Sequence, residues 1–171
     1  IASCLVGSEM CIRDRYSCGL RVSEVIEMKI SNIFFDESLI KVLGKGKKER
    51  FVPLSGIAKK LLYNYIEFER KESKFDKQSV DIVFLNNRGG KLSRIMLYNI
   101  INDAALAAEI KSKISPHTLR HSFATHLIEN GADIISIQKM MGHENIVTTE
   151  KYLNVNKKHL VETLIKYHPR K

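Results

Sequence analysis

His117 and Arg120 stand three positions apart in Ser115-Pro116-His117-Thr118-Leu119-Arg120-His121, Gly142-His143 follows, and Tyr152 lies a short way beyond. Residues three apart share one face of a helix, so a forked cation and an imidazole are presented together. A guanidinium matches two phosphate oxygens at once, and an imidazole donates to the same group or moves a proton near neutral pH. A tyrosine hydroxyl near both can attack phosphorus. The set reads as phosphate chemistry, although His-x-x-Arg alone is a weak signal, because such pairs are mostly solvated or sit at a core edge.

The elements that must position these residues can be read around them. Ser115-Pro116 opens a helix with proline at a tolerated first-turn position; Leu119, Phe123, Ala124, Leu127 and Ile128 form its apolar stripe, and Asn130-Gly131 ends it. Asp133 begins a second helix through Met140, which Gly142-His143 closes. A last amphipathic helix covers about Asn156 to Lys166. Upstream, Ser93 caps a helix from Arg94 to about Ala108, and Leu54 to Lys74 forms a long amphipathic helix with Ile57, Leu61, Leu62, Tyr65, Ile66 and Phe68 at its apolar positions.

Three β-branched and aromatic runs, Asn32 to Glu37, Leu39 to Leu43 and Glu49 to Pro53, read as strands. Gly44-Lys45-Gly46-Lys47-Lys48 is the turn between the second and third, a hairpin able to push an ammonium group into a DNA groove or, more blandly, a solvated basic loop. Gly19 permits a tight turn, and Val22, Val25, Ile26 and Met28 follow at helical spacing. Arg21 therefore stands at a helix start, where unpaired N–H groups favour an anion. The predicted fold is α+β and predominantly helical, with a small three-stranded antiparallel sheet.

Composition narrows the partner. The 171 residues suit one domain, and 28 Lys and Arg against 19 Asp and Glu give a net charge of +9, which favours a polyanion without choosing among nucleic acid, membrane surface and acidic protein. No run has the apolar length of a membrane span, and residues 1 to 15 lack the order of a signal peptide, so a cytoplasmic protein is expected. Cys4, Cys11 and Cys18 have neither a paired framework nor metal-ligand spacing and read as reduced thiols. His117 and His121 are four apart, but no glutamate stands between them as in a zinc protease, and no phosphate-loop motif or two-metal carboxylate cluster is present. No metal and no cofactor are expected.

Taken whole, Pro-His-x-Leu-Arg-His-x-Phe-Ala-Thr-His-Leu, then Gly131-Ala132-Asp133, Met141-Gly142-His143 and Thr148-Thr149-x-x-Tyr152, closely resembles the catalytic region of the tyrosine recombinases, and most of all their Xer group. Gly-Leu-Arg-Val-Ser-Glu around Arg21 matches that family's first arginine box, and Gly-Lys-Gly-x-Lys-Glu-Arg before Val-Pro-Leu matches its β-hairpin. The match runs from about Tyr16 to Pro169. Residues 1 to 15 stand outside it and read as non-native, adapter-derived sequence, with a divergent solvated helix as the alternative. The family normally carries a helical DNA-clamping domain ahead of the catalytic one, and the resemblance implies that this chain lacks it.

The resemblance implies the catalytic fold of DNA breaking–rejoining enzymes and six catalytic residues: Arg21, Lys45, His117, Arg120, His143 and Tyr152. Glu24 reads as an orienting partner of Arg21. Lys47, Lys48 and Arg50 are expected to touch phosphates and give salt-dependent affinity; Lys91 and Arg94 are weaker candidates for the DNA backbone. The implied partners are duplex DNA carrying a recombination site and other recombinase protomers in a synaptic tetramer, including a heterologous Xer protomer, with the last helix packing in cis or docking on a neighbour. Two alternatives remain: type IB topoisomerase-like relaxation, which shares the chemistry but swivels a nick, and a DNA-binding module that is inactive, which would bind without forming a covalent adduct.

Overall fold

The computed structural model describes residues 18–44, 48–72, 76–110, 114–142 and 157–169. Lys45, Lys47, His143 and Tyr152 lie outside them, as do Cys4 and Cys11 and the whole of segment 1–15. Within the described residues a short helix α1 (Val22–Ile26) leads through a 3-10 turn (Ile30–Asn32) into strands β1 (Ile33–Phe34), β2 (Leu39–Leu43) and β3 (Glu49–Pro53). Helices α2 (Gly56–Asn64), α3 (Arg94–Ala107), α4 (Pro116–Glu129), α5 (Ile134–Met141) and α6 (Lys157–Tyr167) follow.

The three strands form one antiparallel sheet in sequence order, with Ile40 opposite Val52, Val42 opposite Arg50 and Leu43 opposite Glu49. The Gly44 N–H donates to the Lys48 carbonyl at 2.8 Å, which continues the β2–β3 ladder into the basic turn. Side chains two apart on a strand share a face. Arg50 therefore points to the side of buried Val52, not to the side of exposed Glu49.

Helix starts are set locally. The hydroxyls of Ser55, Ser93 and Ser115 accept from Ala58, Met96 and Thr118 N–H groups, and the Asp133 carboxylate accepts from Ser136 at 2.9 Å. Each satisfies an N–H that the first helical turn leaves unpaired. At the far end of α5, Gly142 takes the left-handed conformation at φ +62° that terminates a helix.

Three expectations for apolar stripes are corrected, the first being Ile57, which lies on the exposed side of the first turn of α2. The amphipathic helix runs on from α2 through a π-helical turn at Tyr65–Glu69 to a final α turn at Arg70–Glu72. A π turn takes more residues per revolution, so the stripe slips, and Phe68, expected inward, is 65% exposed. Ile128, in the last turn of α4, is likewise on the surface.

The core divides in two. One cluster gathers Leu20, Val25, the inner faces of β2 and β3, and Leu62, Leu97 and Ile101 of α2 and α3; the other gathers Phe123, Leu127, Ile137, Met140, Leu160 and Leu164 of α4, α5 and α6. In this single chain α6 thus packs in cis on α4 and α5. Leu119 lies against the first cluster and Phe123 in the second, so α4 bridges the seam between them. The charged residues with functional promise meet along that seam.

Candidate functional site

Gly19 starts the site. Its φ of +62° belongs to the left-handed region, and a Cβ there would stand 2.5 Å from the Phe123 ring. Only glycine lets the chain pass this close to α4. Its carbonyl then accepts a hydrogen bond from Arg120, whose other terminal nitrogen donates to the Met141 carbonyl. Arg120 is 7% exposed. His117 lies one turn earlier on α4 and is exposed.

Two residues past Gly19, Arg21 caps α1. Its backbone N–H donates to Glu24 Oε2 at 2.7 Å, its Nη1 to Glu24 Oε1 at 3.0 Å, and its Nη2 to the Gly142 carbonyl at 2.6 Å. Glu24, in the first turn of α1, is buried. Arg50 forks it from the opposite side, Nη1 to Oε1 at 2.6 Å and Nη2 to Oε2 at 2.8 Å, while Arg50 Nε donates to the Met140 carbonyl at 3.0 Å.

Every oxygen of the buried carboxylate is therefore saturated by charge-assisted bonds. Burial pushes the Glu24 carboxyl up, but the Arg50 fork and the Arg21 donors outweigh it and hold the group below its ordinary value. Two guanidiniums share one carboxylate, so one positive charge is left over. It sits toward solvent on Arg21, whose side chain is 32% exposed, against 13% for Arg50.

The last carbonyls of α5 complete the arrangement. Met140, Met141 and Gly142 each give their oxygen to a different arginine: Arg50, Arg120 and Arg21 in turn. A helix C-terminus leaves these carbonyls unpaired and carries partial negative charge, so three cations there satisfy both deficits. The next residue in the chain is His143. A groove of about 720 Å³ opens beside Arg21, lined also by Lys29, Lys41, Gly44 and Glu49.

The structure thus brings Arg21, Glu24 and Arg120 together. Arg50, expected to touch phosphate, joins them on the face of β3 that it shares with buried Val52, with all three guanidinium nitrogens engaged inside the protein. Strand alternation held that signal, since Arg50 and Val52 share a face. Lys48 and Arg94 are exposed. Lys91 is a surface residue whose ammonium pairs with Glu27 at 2.8 Å. Among the described residues no group of three or more His, Cys, Asp or Glu side chains is placed to hold a metal, and no helix is long and apolar enough to cross a membrane.

Residues 8–159 match the model of the phage integrase family, a match that begins inside segment 1–15. The chain is similar to the tyrosine recombinase XerD of Chlorobaculum tepidum, 41% identical over 155 residues covering 91% of this chain and 51% of that protein. It is similar to XerD of Listeria innocua at 42% identity, over 91% of this chain and 52% of the relative. The chain therefore spans about half the length of these relatives. Among solved structures it resembles XerA recombinase, with a TM-score of 0.69, 32% identity and coverage of 96% of this chain and 64% of that one. It also resembles XerH bound to its difH substrate before cleavage, with a TM-score of 0.74, 28% identity and coverage of 85% and 42%. The fold is that of tyrosine recombinase catalytic domains.

Proposed function

The chain belongs to the phage integrase family, and from that premise we propose that it carries the catalytic part of a site-specific DNA recombinase of the Xer type. The observation that carries the reading is the seam itself: Arg21 and Arg120, distant in sequence, are fixed side by side on consecutive carbonyls of α5 by contacts that leave net positive charge at the surface of Arg21. The XerD proteins are named tyrosine recombinases, and XerH, a site-specific recombinase, is bound to its difH substrate in the solved structure, which supports DNA as the partner here.

In this reading Arg21 and Arg120 clamp the non-bridging oxygens of the scissile phosphate, where charge builds in the pentacoordinate transition state. The Tyr152 hydroxyl oxygen attacks phosphorus and its proton passes toward His117, which later returns it. The bond from phosphorus to the 5′ oxygen breaks as Lys45 protonates that oxygen, and His143 donates to a phosphate oxygen. The products are a 3′-phosphotyrosyl link and a free 5′-hydroxyl. Because the ester bond is exchanged, not hydrolysed, the DNA can be resealed to a second strand without ATP. Lys47 and Lys48 supply salt-dependent contacts to the backbone, with Lys91 and Arg94 at its edge. A synaptic tetramer, containing a second Xer protomer in some sites, is the assembly that would exchange strands.

The test is covalent trapping: the protein and its Tyr152→Phe variant are incubated with nicked duplexes carrying Xer-type sites, without added metal, and DNA adducts that survive denaturation are resolved on a gel. An adduct lost in the variant is expected. Binding with no adduct from the unmodified protein would replace this reading with that of an inactive DNA-binding module.

A further inference from the structure

We propose that Arg50 is a positioning residue of the cleavage site, which sets the guanidinium of Arg21 and the end of α5 without touching DNA. The inference rests on the reading of Arg21 as a phosphate clamp.

Three observations carry it. First, the Arg50 fork is the tighter hold on Glu24: its two bonds measure 2.6 and 2.8 Å, against 3.0 Å for the side-chain bond from Arg21. Without Arg50 the carboxylate would have Arg21 as its only described cationic partner and would draw it inward, cancelling the charge meant for phosphate. With Arg50 in place, Glu24 is shared and Arg21 keeps donors to spare.

Second, Arg50 Nε reaches the Met140 carbonyl, so the same planar group that sets Glu24 also pins the last turn of α5. That turn ends at Gly142, whose carbonyl is the second partner of Arg21. Both internal partners of the Arg21 guanidinium are thus fixed by one residue. Third, Gly142 is shaped to this contact. A Cβ on it would stand 3.0 Å from Arg50 Nε and 3.1 Å from Cζ, so the helix terminus closes directly on the guanidinium. A lysine has one donor atom and cannot make the fork and the third bond together.

The experiment compares Arg50→Gln, Arg50→Lys, Glu24→Gln and the Glu24→Gln/Arg50→Gln double variant with the unmodified protein. Two quantities are read on nicked duplexes with Xer-type sites. One is the rate of adduct formation at saturating DNA; the other is affinity and its salt dependence, measured in a Tyr152→Phe background. A displacement of a clamp on the order of 1 Å costs about 100-fold in rate, and a loss of that size is expected for Arg50→Gln, with Arg50→Lys restoring only part of it. The salt slope should stay unchanged in both. The double variant should be slower than Glu24→Gln by clearly less than the loss that Arg50→Gln causes on its own, because part of what Arg50 does runs through that carboxylate and the rest through the Met140 carbonyl.

A salt slope lower by about 0.9, the signature of one lost phosphate contact, with the rate unchanged, would overturn the proposal. So would losses that multiply in the double variant. Should Arg50→Gln fail to fold by circular dichroism, Arg50→Lys carries the same two readouts: a slow rate with an unchanged slope supports positioning, and the reverse refutes it. If the unmodified protein forms no adduct, the recombinase reading falls and this inference falls with it; an adduct with a full rate in both Arg50 variants defeats this inference alone.

Discussion

Gly19→Ala tests whether the two halves of the site meet as closely as the structure places them. The new Cβ would lie 2.5 and 2.8 Å from two atoms of the Phe123 ring and 3.1 Å from the Met141 sulfur. Met141 is flexible and can give way. Phe123 cannot: it is fully buried and its ring also packs on His168, centroids 5.6 Å apart. Overpacking of a filled core costs about 1–3 kcal/mol. Holding alanine at the φ of +62° found here adds roughly 1–2 kcal/mol. The smaller entropy of the unfolded alanine chain returns about 0.4–1 kcal/mol.

The net loss is about 3 kcal/mol, or roughly 6–12 °C in Tm for a chain of this size. Urea denaturation followed by circular dichroism reads it as a lower midpoint at unchanged slope. Gly56→Ala is the control. It sits in the first turn of α2 with nothing within 4 Å of the added Cβ, so it should be neutral or stabilising. Because the Gly19 carbonyl is a partner of Arg120, adduct formation should fall with stability in Gly19→Ala and not in Gly56→Ala. A Gly19→Ala protein within about 1 kcal/mol of the parent, with an unchanged rate, would refute the close approach and the anchoring of Arg120 built on it.

Arg120→Lys should be severely impaired in adduct formation and less stable by about 1–3 kcal/mol, since one ammonium cannot serve both the Gly19 and Met141 carbonyls and leaves a buried acceptor unpaired; near-normal rates would remove Arg120 from the site. The lowered pKa of Glu24 means that its stabilisation is present above the ordinary glutamate value of 4.5 and is lost as pH falls below it through the folded-state value. Denaturation midpoints taken from about pH 7 down to about pH 3 should therefore drop more steeply for the unmodified protein than for Glu24→Gln, and parallel curves would show that the carboxylate is not held ionised by its arginines. Lys45→Ala should slow cleavage of an ordinary phosphodiester far more than cleavage of a substrate with a good 5′ leaving group. Equal losses on both substrates would rule out Lys45 as the acid.

Much of the framework was legible because it is local. Ser93, Ser115 and Asp133 cap helices through bonds to residues three positions on, and Gly142 ends α5 by its own backbone preference, so the predicted boundaries of α3, α4 and α5 stand within a residue or so of those observed. The hairpin followed in the same way from two apolar strands flanking a Gly-Lys-Gly turn. The slip in the stripe after α2 was not legible, since nothing in Tyr65–Glu69 marks a π turn without the tertiary packing that selects it.

The sequence by itself determined the chemistry on offer: which residue types are present, in what order, and on which helix or turn each one starts. Only the tertiary structure decided which of the many arginines work together, and on what. Arg21 meets Gly142 across 121 positions, Arg120 meets Gly19 across 101, and Arg50 meets Met140 across 90 and Glu24 across 26. A guanidinium on a basic stretch looks the same in sequence whether it faces phosphate or a buried carboxylate. The difference is made when the two core clusters close on each other, because the carbonyls at the end of α5 and the carboxylate of Glu24 lose water there and must be paired.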